Sequence, residues 1–195
     1  MSCSFDRRAG AILLLLTLFL GGCEGMMDDL LPSDEDRRAQ SSGAYMPGNP
    51  LDAATRAARL LDVDGNALTL DDVLGAPSPP EAIVLYFTMW CPVCLAHSDH
   101  LHNTVVPTYG TTRVRYFLVD YVSGDWQAMR QAAQANGYLG SDLEPVLDAD
   151  GTLFQRLHGA MGNVVVVDAQ GVIRFNAYYQ DGQALEAALA QVLGP

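Results

Sequence analysis

The chain contains no lysine, and all eleven of its basic residues are arginines. The absence of lysine excludes enzymes that form a Schiff base on a lysine, and it excludes the phosphate-binding P-loop. Twenty-three acidic residues give a formal net charge of −12, and the arginines form no basic stripe. The sequence therefore predicts no nucleic-acid partner.

Cysteine is scarce, with four in 195 residues. Cys3 and Cys23 lie within or at the end of an apolar leader, so only Cys91 and Cys94 belong to the main part of the chain. One pair cannot form a disulfide framework, and it lacks the second pair that a structural zinc site usually needs. We therefore expect a local bridge or a redox couple, with no cofactor and no resident metal.

No apolar run is long enough to span a bilayer comfortably. The run at residues 11–20 follows Arg7 and Arg8 and precedes two glycines, which is the pattern of a secretory signal peptide. Residues 20–23, Leu-Gly-Gly-Cys, resemble the bacterial lipobox. The resemblance implies that residues 1–22 are a lipoprotein signal peptide and that Cys23 is lipidated. The alternative is an ordinary signal peptide followed by a chance cysteine.

Residues 23–50 are predicted to be an acidic flexible tether. They carry acidic clusters and turn-forming residues, which disfavour a packed element. Such a spacer would hold the following domain off the membrane surface. The remaining residues, 51–195, are enough for one domain with its own core.

The domain alternates strand-like and helix-like segments. An almost unbroken apolar run at residues 82–87 predicts a strand buried on both faces, and residues 95–106 predict a helix that Pro107 ends. Residues 164–167 give the clearest central-strand pattern, and residues 172–177 complete a hairpin with them. The order of elements predicts an α/β sandwich with a mixed central sheet.

Two short strands at residues 59–70, about an Asp-Gly-Asn turn, predict an N-terminal β-hairpin extension ahead of this sandwich.

The four residues Cys91-Pro92-Val93-Cys94 stand where the strand at 82–87 gives way to the helix. At a helix start the first cysteine lies beside unpaired N–H groups and the positive end of the helix dipole. This setting favours the thiolate, the species that attacks a disulfide. Cys94 follows one helical turn later, within reach for closing a bridge. We therefore predict that Cys91 attacks and that Cys94 resolves.

The domain resembles the exported thioredoxin-fold proteins of the TlpA/ResA type, which are related to the AhpC/TSA superfamily. The stretches that carry the resemblance are residues 62–65, 68–70, 86–94 and 166–173. It implies a thioredoxin-like three-layer sandwich and an oxidoreductase that exchanges disulfides with exported proteins and a membrane redox partner. It also implies that Trp90 and the loop of Met161, Gly162 and Asn163 face the partner.

Three positions depart from the family pattern. The loop that normally carries a cis-proline has none, and Met161 or Gly162 takes its place, which predicts a trans peptide bond. The position six residues after the first cysteine, often a carboxylate, is His97, which could shuttle a proton during exchange. The buried acid that thioredoxins place six residues before that cysteine is Leu85 here.

Three other functions compete with disulfide exchange. Cys91, Cys94 and His97 could form a copper- or zinc-binding module, because thiolates and imidazole suit those metals. A Thr-x-x-Cys match at residues 88–91 favours a peroxidase, although the proline expected earlier is Val84. The missing cis-proline favours a non-catalytic binding domain. In the leading hypothesis the protein is lipid-anchored on the periplasmic side of the bacterial membrane.

Overall fold

The computed structural model describes residues 43–194. The predicted signal peptide, the lipidation site Cys23 and residues 24–42 of the predicted tether lie outside the described residues. No helix within residues 43–194 is both long enough and apolar enough to cross a membrane.

The described residues form a seven-stranded mixed sheet with the order β2-β1-β5-β4-β3-β6-β7. Strand β3 is parallel to β4 and antiparallel to β6, so it lies in the interior of the sheet between these two strands. The strands are β1 (Leu60–Leu61), β2 (Ala67–Leu68), β3 (Ala82–Thr88), β4 (Val114–Asp120), β5 (Glu144–Leu147), β6 (Asn163–Asp168) and β7 (Ile173–Tyr178).

Helices cover both faces of the sheet, as the sequence predicts for an α/β sandwich. They are α1 (Ala53–Arg56), α2 (Leu70–Leu74), α3 (Pro92–His100), α4 (Val106–Tyr109), α5 (Trp126–Ala135), α6 (Thr152–Arg156) and α7 (Gln183–Leu193). The predicted N-terminal hairpin is present as the antiparallel pair of β1 and β2.

Side chains of β3 alternate between two apolar cores, because successive residues of a strand point to opposite faces. Val84 and Tyr86 enter the core beneath α3 and α7, whereas Leu85 and Phe87 enter the core that packs against α2 and α6. All seven residues of β3 are buried, which confirms the prediction of a strand covered on both faces. This alternation decides which residues of β3 reach the cysteines.

The prediction that Pro107 ends the helix after the cysteines is wrong. A π-helical turn, Leu101–Val105, follows α3, and in it the Val106 N–H reaches the Leu101 carbonyl. In this wider turn the backbone hydrogen bonds span five residues instead of four, just before Pro107, which has no N–H to donate. Helical structure therefore continues through α4. Gly110, with φ of 76°, ends it.

Residues 43–50, which the sequence places in the flexible tether, are hydrogen-bonded to the domain. The Gly48 N–H donates to the Ile173 carbonyl at 2.7 Å, and the Ile173 N–H donates to the Asn49 carbonyl at 2.9 Å. Pro50 forms an isolated bridge with Val172. The ordered part of the domain therefore includes this stretch, because it pairs with the start of β7.

Candidate active site

The two cysteines lie together at the beginning of α3, as free thiols. Their sulfur atoms are 2.8 Å apart. Cys91 is the N-cap residue and Pro92 occupies the first turn, where its missing N–H costs nothing. The Cys94 N–H donates to the Cys91 sulfur at 3.2 Å. The predicted position of Cys91 at a helix start is confirmed.

The two thiols differ in exposure, and burial shifts the pKa of Cys94. Cys91 is partly exposed, whereas Cys94 has no solvent-accessible surface. Burial, together with the hydrogen bond that the Cys94 thiol makes to Cys91, raises the pKa of Cys94 to about 11. Near neutral pH Cys94 therefore keeps its proton, while a negative charge on the Cys91 sulfur is stabilised by the Cys94 N–H and by the helix dipole.

Trp90 is held in a left-handed conformation just before the dithiol. Its φ is 59°, a value that non-glycine residues rarely adopt. The Trp90 N–H donates to the Thr88 hydroxyl at 3.1 Å, and the indole N–H donates to Asp120 Oδ2 at 2.6 Å. These two bonds fix the ring at the edge of the site. Trp90 therefore lies beside the cysteines, and its role at a partner surface stays a prediction.

Met161 covers Cys91 from the opposing loop. The Cys91 thiol donates to the Met161 sulfur at 3.4 Å, and Met161 is partly exposed. Every peptide bond within residues 43–194 is trans, which confirms the prediction for this loop. Where the family that the sequence resembles has a proline, this chain therefore places a thioether against the Cys91 sulfur.

The other two residues predicted to face the partner are buried. The Gly162 N–H donates to the Phe87 carbonyl at 3.1 Å, and the Gly162 carbonyl accepts from the Tyr179 N–H at 2.8 Å. Asn163 has no exposed surface, and its amide donates to the Asn176 side chain at 3.1 Å. The structure therefore brings Trp90 and Met161 to the accessible rim of the dithiol and keeps Gly162 and Asn163 beneath it.

His97 lies one turn beyond Cys94 and is 9% exposed. Its Nδ1 is 2.9 Å from the Tyr86 hydroxyl, and among the described residues its ring makes no hydrogen bond to a cysteine. Burial, with a smaller effect of nearby His100, lowers the pKa of His97 to about 4. The pKa of His97 therefore lies below that of an unperturbed imidazole, because the ring is largely buried, and its predicted part in proton transfer stays a prediction.

Two residues that the motif does not point to complete the site. The Tyr86 phenol is fully buried in the core cluster that also holds Cys94, with its hydroxyl beside His97, and burial is the largest cause of the rise in its pKa. Asp120, at the carboxyl end of β4, anchors Trp90. The sequence offered a signal for both residues. Tyr86 and Leu85 are neighbours in β3 and must face opposite sides of the sheet, and Asp120 is the last residue of β4, the strand parallel to β3.

The described residues contain no group of three His, Cys, Asp or Glu side chains that could hold a metal ion. His97 does not join the cysteines as a third ligand, because its Nδ1 already bonds with Tyr86. The metal module of Cys91, Cys94 and His97 is therefore not assembled.

Comparison with protein-family models and with curated proteins gave no match. Comparison with solved structures gave many. The Mycobacterium tuberculosis protein DsbF is similar with a TM-score of 0.56 and 19% identity, over 73% of this chain and 99% of that chain. A secreted M. tuberculosis disulfide oxidoreductase homologous to E. coli DsbE is similar with a TM-score of 0.52 and 21% identity, over 72% and 99%.

The bacterioferritin comigratory protein of Xanthomonas campestris is similar with a TM-score of 0.58 and 14% identity, over 76% of this chain and 98% of that chain. At such identities the comparisons speak to the fold. Together with the mixed seven-stranded sheet and its flanking helices, they show that this chain has a thioredoxin-like fold.

Proposed function

We propose that this chain is a thiol–disulfide oxidoreductase that exchanges disulfides with exported proteins. One observation carries the proposal: two free thiols lie 2.8 Å apart at a helix start, one partly exposed and one buried. An inert core pair would have both sulfurs buried. Here the accessible sulfur is the one that receives the backbone N–H, which is the arrangement that a nucleophile needs.

The first step is attack by Cys91 on a partner disulfide. The Cys91 thiolate forms a bond to one partner sulfur while the partner's S–S bond breaks, and the second partner sulfur leaves as a thiolate. The Cys94 N–H at 3.2 Å stabilises the attacking sulfur before the new bond forms.

The second step is release by Cys94. The Cys94 thiolate attacks the Cys91 sulfur, the mixed disulfide breaks, and the partner leaves with both of its sulfurs reduced. The chain then holds the Cys91–Cys94 disulfide and has given up two electrons. The exchange is reversible, so the relative reduction potentials of chain and partner set its direction, and a membrane redox partner would restore the starting form.

Partner contact is assigned to the rim of the dithiol. Trp90 and Met161 flank Cys91, and Met89, next to Trp90, is 42% exposed. An exposed large apolar side chain beside a nucleophile suits a partner that docks an apolar segment. Met161 must move off the Cys91 sulfur before a partner sulfur can approach in line, so this side chain also limits access.

The lipobox resemblance supports a location outside the cytoplasm, on a lipid anchor at Cys23. A Cys23→Ser variant should then lose its membrane association and fractionate with soluble protein. If the variant leaves the membrane fraction and keeps its oxidoreductase activity, the lipid anchor is not needed for disulfide exchange. If the variant stays with the membrane fraction as the wild type does, the lipid-anchor proposal is wrong.

Activity is tested by insulin reduction and by reactivation of scrambled ribonuclease, each across a range of glutathione redox poise. The wild type should turn over in at least one assay, and Cys91→Ser should abolish turnover. Ser98→Ala, which alters a buried hydroxyl on the same helix, is the matched control. Absence of wild-type turnover at every poise would exclude the oxidoreductase and leave a binding domain.

The partner is identified by trapping. A Cys94→Ala variant retains Cys91 but cannot resolve, so a mixed disulfide with the physiological partner should accumulate. The trapped protein is released by dithiothreitol and identified by mass spectrometry. The double variant Cys91→Ser, Cys94→Ala should trap nothing.

Binding of a soft metal is a second candidate, favoured by one contact. The Met161 thioether lies 3.4 Å from the Cys91 sulfur, so three sulfur atoms meet at one place. Thiolate and thioether ligands select Cu(I). Titration of the reduced full chain with Cu(I) against a chromogenic chelator tests this function. Met161→Leu should weaken binding, whereas His97→Gln should leave it unchanged.

A further inference from the structure

Met161 meets the dithiol from the loop between α6 and β6. Its sulfur is 3.4 Å from the Cys91 sulfur, and the Cys91 sulfur is 2.8 Å from that of Cys94. Among residues 43–194, Met161 is the one methionine whose sulfur bonds with a cysteine. A thioether and two thiols thus lie within reach of one another.

The backbone of the loop holds Met161 over the cysteines. The Gly162 N–H donates to the Phe87 carbonyl at 3.1 Å, which attaches the loop to β3, the strand that leads to the dithiol. The Asn163 N–H donates to the Ala160 carbonyl at 3.0 Å and closes a turn around Met161. The contact between the two sulfurs is therefore built into the backbone on both sides of the site.

Met161 is open to small oxidants, because its side chain is partly exposed. Peroxides convert a methionine thioether to a sulfoxide, a lesion that thioether-restoring reductases reverse. Met46 and Met89 are 40% and 42% exposed and should oxidise as well, whereas Met129 is fully buried and should resist. Met46 and Met89 therefore provide comparisons for Met161 within the same molecule.

The distance between the Cys91 and Met161 sulfurs suits a reaction between them. Reacting atoms in a near-attack conformer lie about 3–3.5 Å apart, and holding them there is equivalent to a reactant concentration of about 10⁵ M or more. A thioether sulfur is only a weak hydrogen-bond acceptor, so a sulfoxide oxygen would strengthen the contact that the Cys91 thiol already makes. Cys94 supplies the second thiol that a two-electron reduction needs.

We propose that the dithiol reduces a sulfoxide formed at Met161, so that this chain restores its own active-site methionine. The oxygen comes from a peroxide, which oxidises the thioether to the sulfoxide and is itself reduced to water or an alcohol. The inference rests on the reactive dithiol of the proposed function, but it needs no partner protein.

The reduction takes two steps. In the first, the S–O bond at Met161 breaks and an S–O bond forms at Cys91, so the thiol becomes a sulfenic acid and the thioether is restored. In the second, the Cys94 sulfur attacks Cys91, the S–S bond forms, and the hydroxyl group leaves as water with the Cys94 proton. Two electrons pass from the dithiol to Met161, and a thiol reductant returns the resulting disulfide to the dithiol.

The test starts from the full chain with Cys91 and Cys94 protected as their disulfide. Hydrogen peroxide oxidises the accessible methionines, catalase removes the peroxide, and brief treatment with dithiothreitol in the cold frees the two thiols. The reductant is removed without air, and samples are alkylated and digested at intervals. Mass spectrometry then follows the Met161 sulfoxide and the Cys91–Cys94 disulfide, with the Met46 and Met89 sulfoxides as internal references.

The Met161 sulfoxide should disappear at least about 100-fold faster than the Met89 sulfoxide, because Met161 is held against a thiol. At least about half of the Met161 sulfoxide should be lost, since a fixed thiol selects one of the two sulfoxide epimers. One Cys91–Cys94 disulfide should form for each sulfoxide lost. The rate should not depend on protein concentration, because the reaction is intramolecular.

Four variants separate the steps. Cys91→Ser should keep the Met161 sulfoxide. Cys94→Ala, with Cys91 protected by glutathione during the peroxide treatment, should lose the sulfoxide but stop at the sulfenic acid, which dimedone traps on Cys91. Met161→Leu should form no disulfide during the incubation. Met46→Leu, which removes an exposed methionine outside the site, should form it as the wild type does.

A Met161 sulfoxide that persists as long as the Met89 sulfoxide in the reduced wild type would overturn this inference. Disulfide formation in Met161→Leu to the wild-type extent would overturn it too, because the oxygen would then come from another group. Failure of the proposed function gives a different result, in which the wild type turns over no insulin. If the inference alone fails, insulin turnover is retained while the Met161 sulfoxide remains.

Discussion

The indole N–H of Trp90 donates to Asp120 Oδ2 at 2.6 Å, and this bond joins the residue before the dithiol to the end of the neighbouring parallel strand. Asp120 is fully buried and also accepts from the N–H groups of Val122 and Ser123 at 2.8 and 2.9 Å. Trp90 has a φ of 59°. The bond offsets the strain of that conformation. It also fixes where α3 begins and therefore where its N-cap residue Cys91 lies.

Removal of the Asp120 carboxylate should destabilise the fold. Asp120→Ala leaves the N–H donors of Trp90, Val122 and Ser123 without an acceptor in a partly buried place, and we expect the free energy of unfolding to fall by about 3 kcal/mol. Urea unfolding followed by tryptophan fluorescence measures the loss. Asp181→Ala, an exposed carboxylate that accepts from the Gln183 N–H, should cost less than about 1 kcal/mol. Equal losses in the two variants would contradict this role.

Gly162 should not tolerate a side chain. Its φ is 75°, and an added Cβ would lie 2.6 Å from the Tyr178 ring. Gly140 has nearly the same conformation, with φ of 79°, but open space around it. Gly140→Ala should therefore cost only the backbone strain, about 1 kcal/mol. Gly162→Ala should cost about 2–4 kcal/mol, because the clash adds to that strain.

Thermal and urea unfolding of the two glycine variants give the comparison directly. A Gly162→Ala variant as stable as Gly140→Ala would mean that the Tyr178 ring moves aside freely. In that case the loop that carries Met161 is less rigid than the contacts around Gly162 indicate.

The low pKa of His97 should make the fold less stable in mild acid. In the unfolded chain the imidazole takes up a proton near pH 6.5, whereas in the fold it does so only near pH 4. Below about pH 6.5 protons therefore bind the unfolded state preferentially. The stability present at neutral pH is lost as the pH falls towards 4, by about 2 kcal/mol.

The control for this pH dependence is His97→Gln. Its unfolding free energy, measured by urea titration at a series of pH values, should fall less steeply between about pH 6.5 and pH 4 than that of the wild type. Parallel curves for the two proteins would show that His97 titrates alike in the folded and unfolded chains.

Alkylation should distinguish the two cysteines. Iodoacetamide near neutral pH should modify Cys91 at least about tenfold faster than Cys94, because Cys94 is buried and its pKa is raised to about 11. Mass spectrometry of digested samples gives both rates, and in denaturant the rates should converge. Similar rates in the native protein would contradict the assignment of attacking and resolving thiols.

Much of the fold follows from local patterns in the sequence. The apolar run of β3 predicts a central strand because only a strand covered on both faces can be apolar throughout. The Cys-x-x-Cys spacing predicts a dithiol one turn apart at a helix start, and the structure has it there. Pro107 led to a wrong prediction of the helix end. A π-helical turn precedes it and accommodates its missing N–H, and a proline in the sequence does not by itself indicate such a turn.

The candidate site was less predictable than the fold. Trp90 and Met161 lie at the rim as the family resemblance implies, whereas Gly162 and Asn163 are buried by packing from β7. That Tyr86 shares the core of Cys94 depends on which face of β3 looks towards that cysteine. A one-residue change of register would have placed Leu85 there instead.

The sequence by itself determined the dithiol, its place between a strand and a helix, and the leader pattern that predicts export, because these depend on residues that are neighbours in the chain. Only the tertiary structure decided what surrounds the sulfurs. Met161 lies seventy residues from Cys91, Asp120 thirty from Trp90, and Tyr86 eleven from His97. The physical reason is that hydrogen bonding and desolvation act over a few ångströms in space, whatever the distance along the chain.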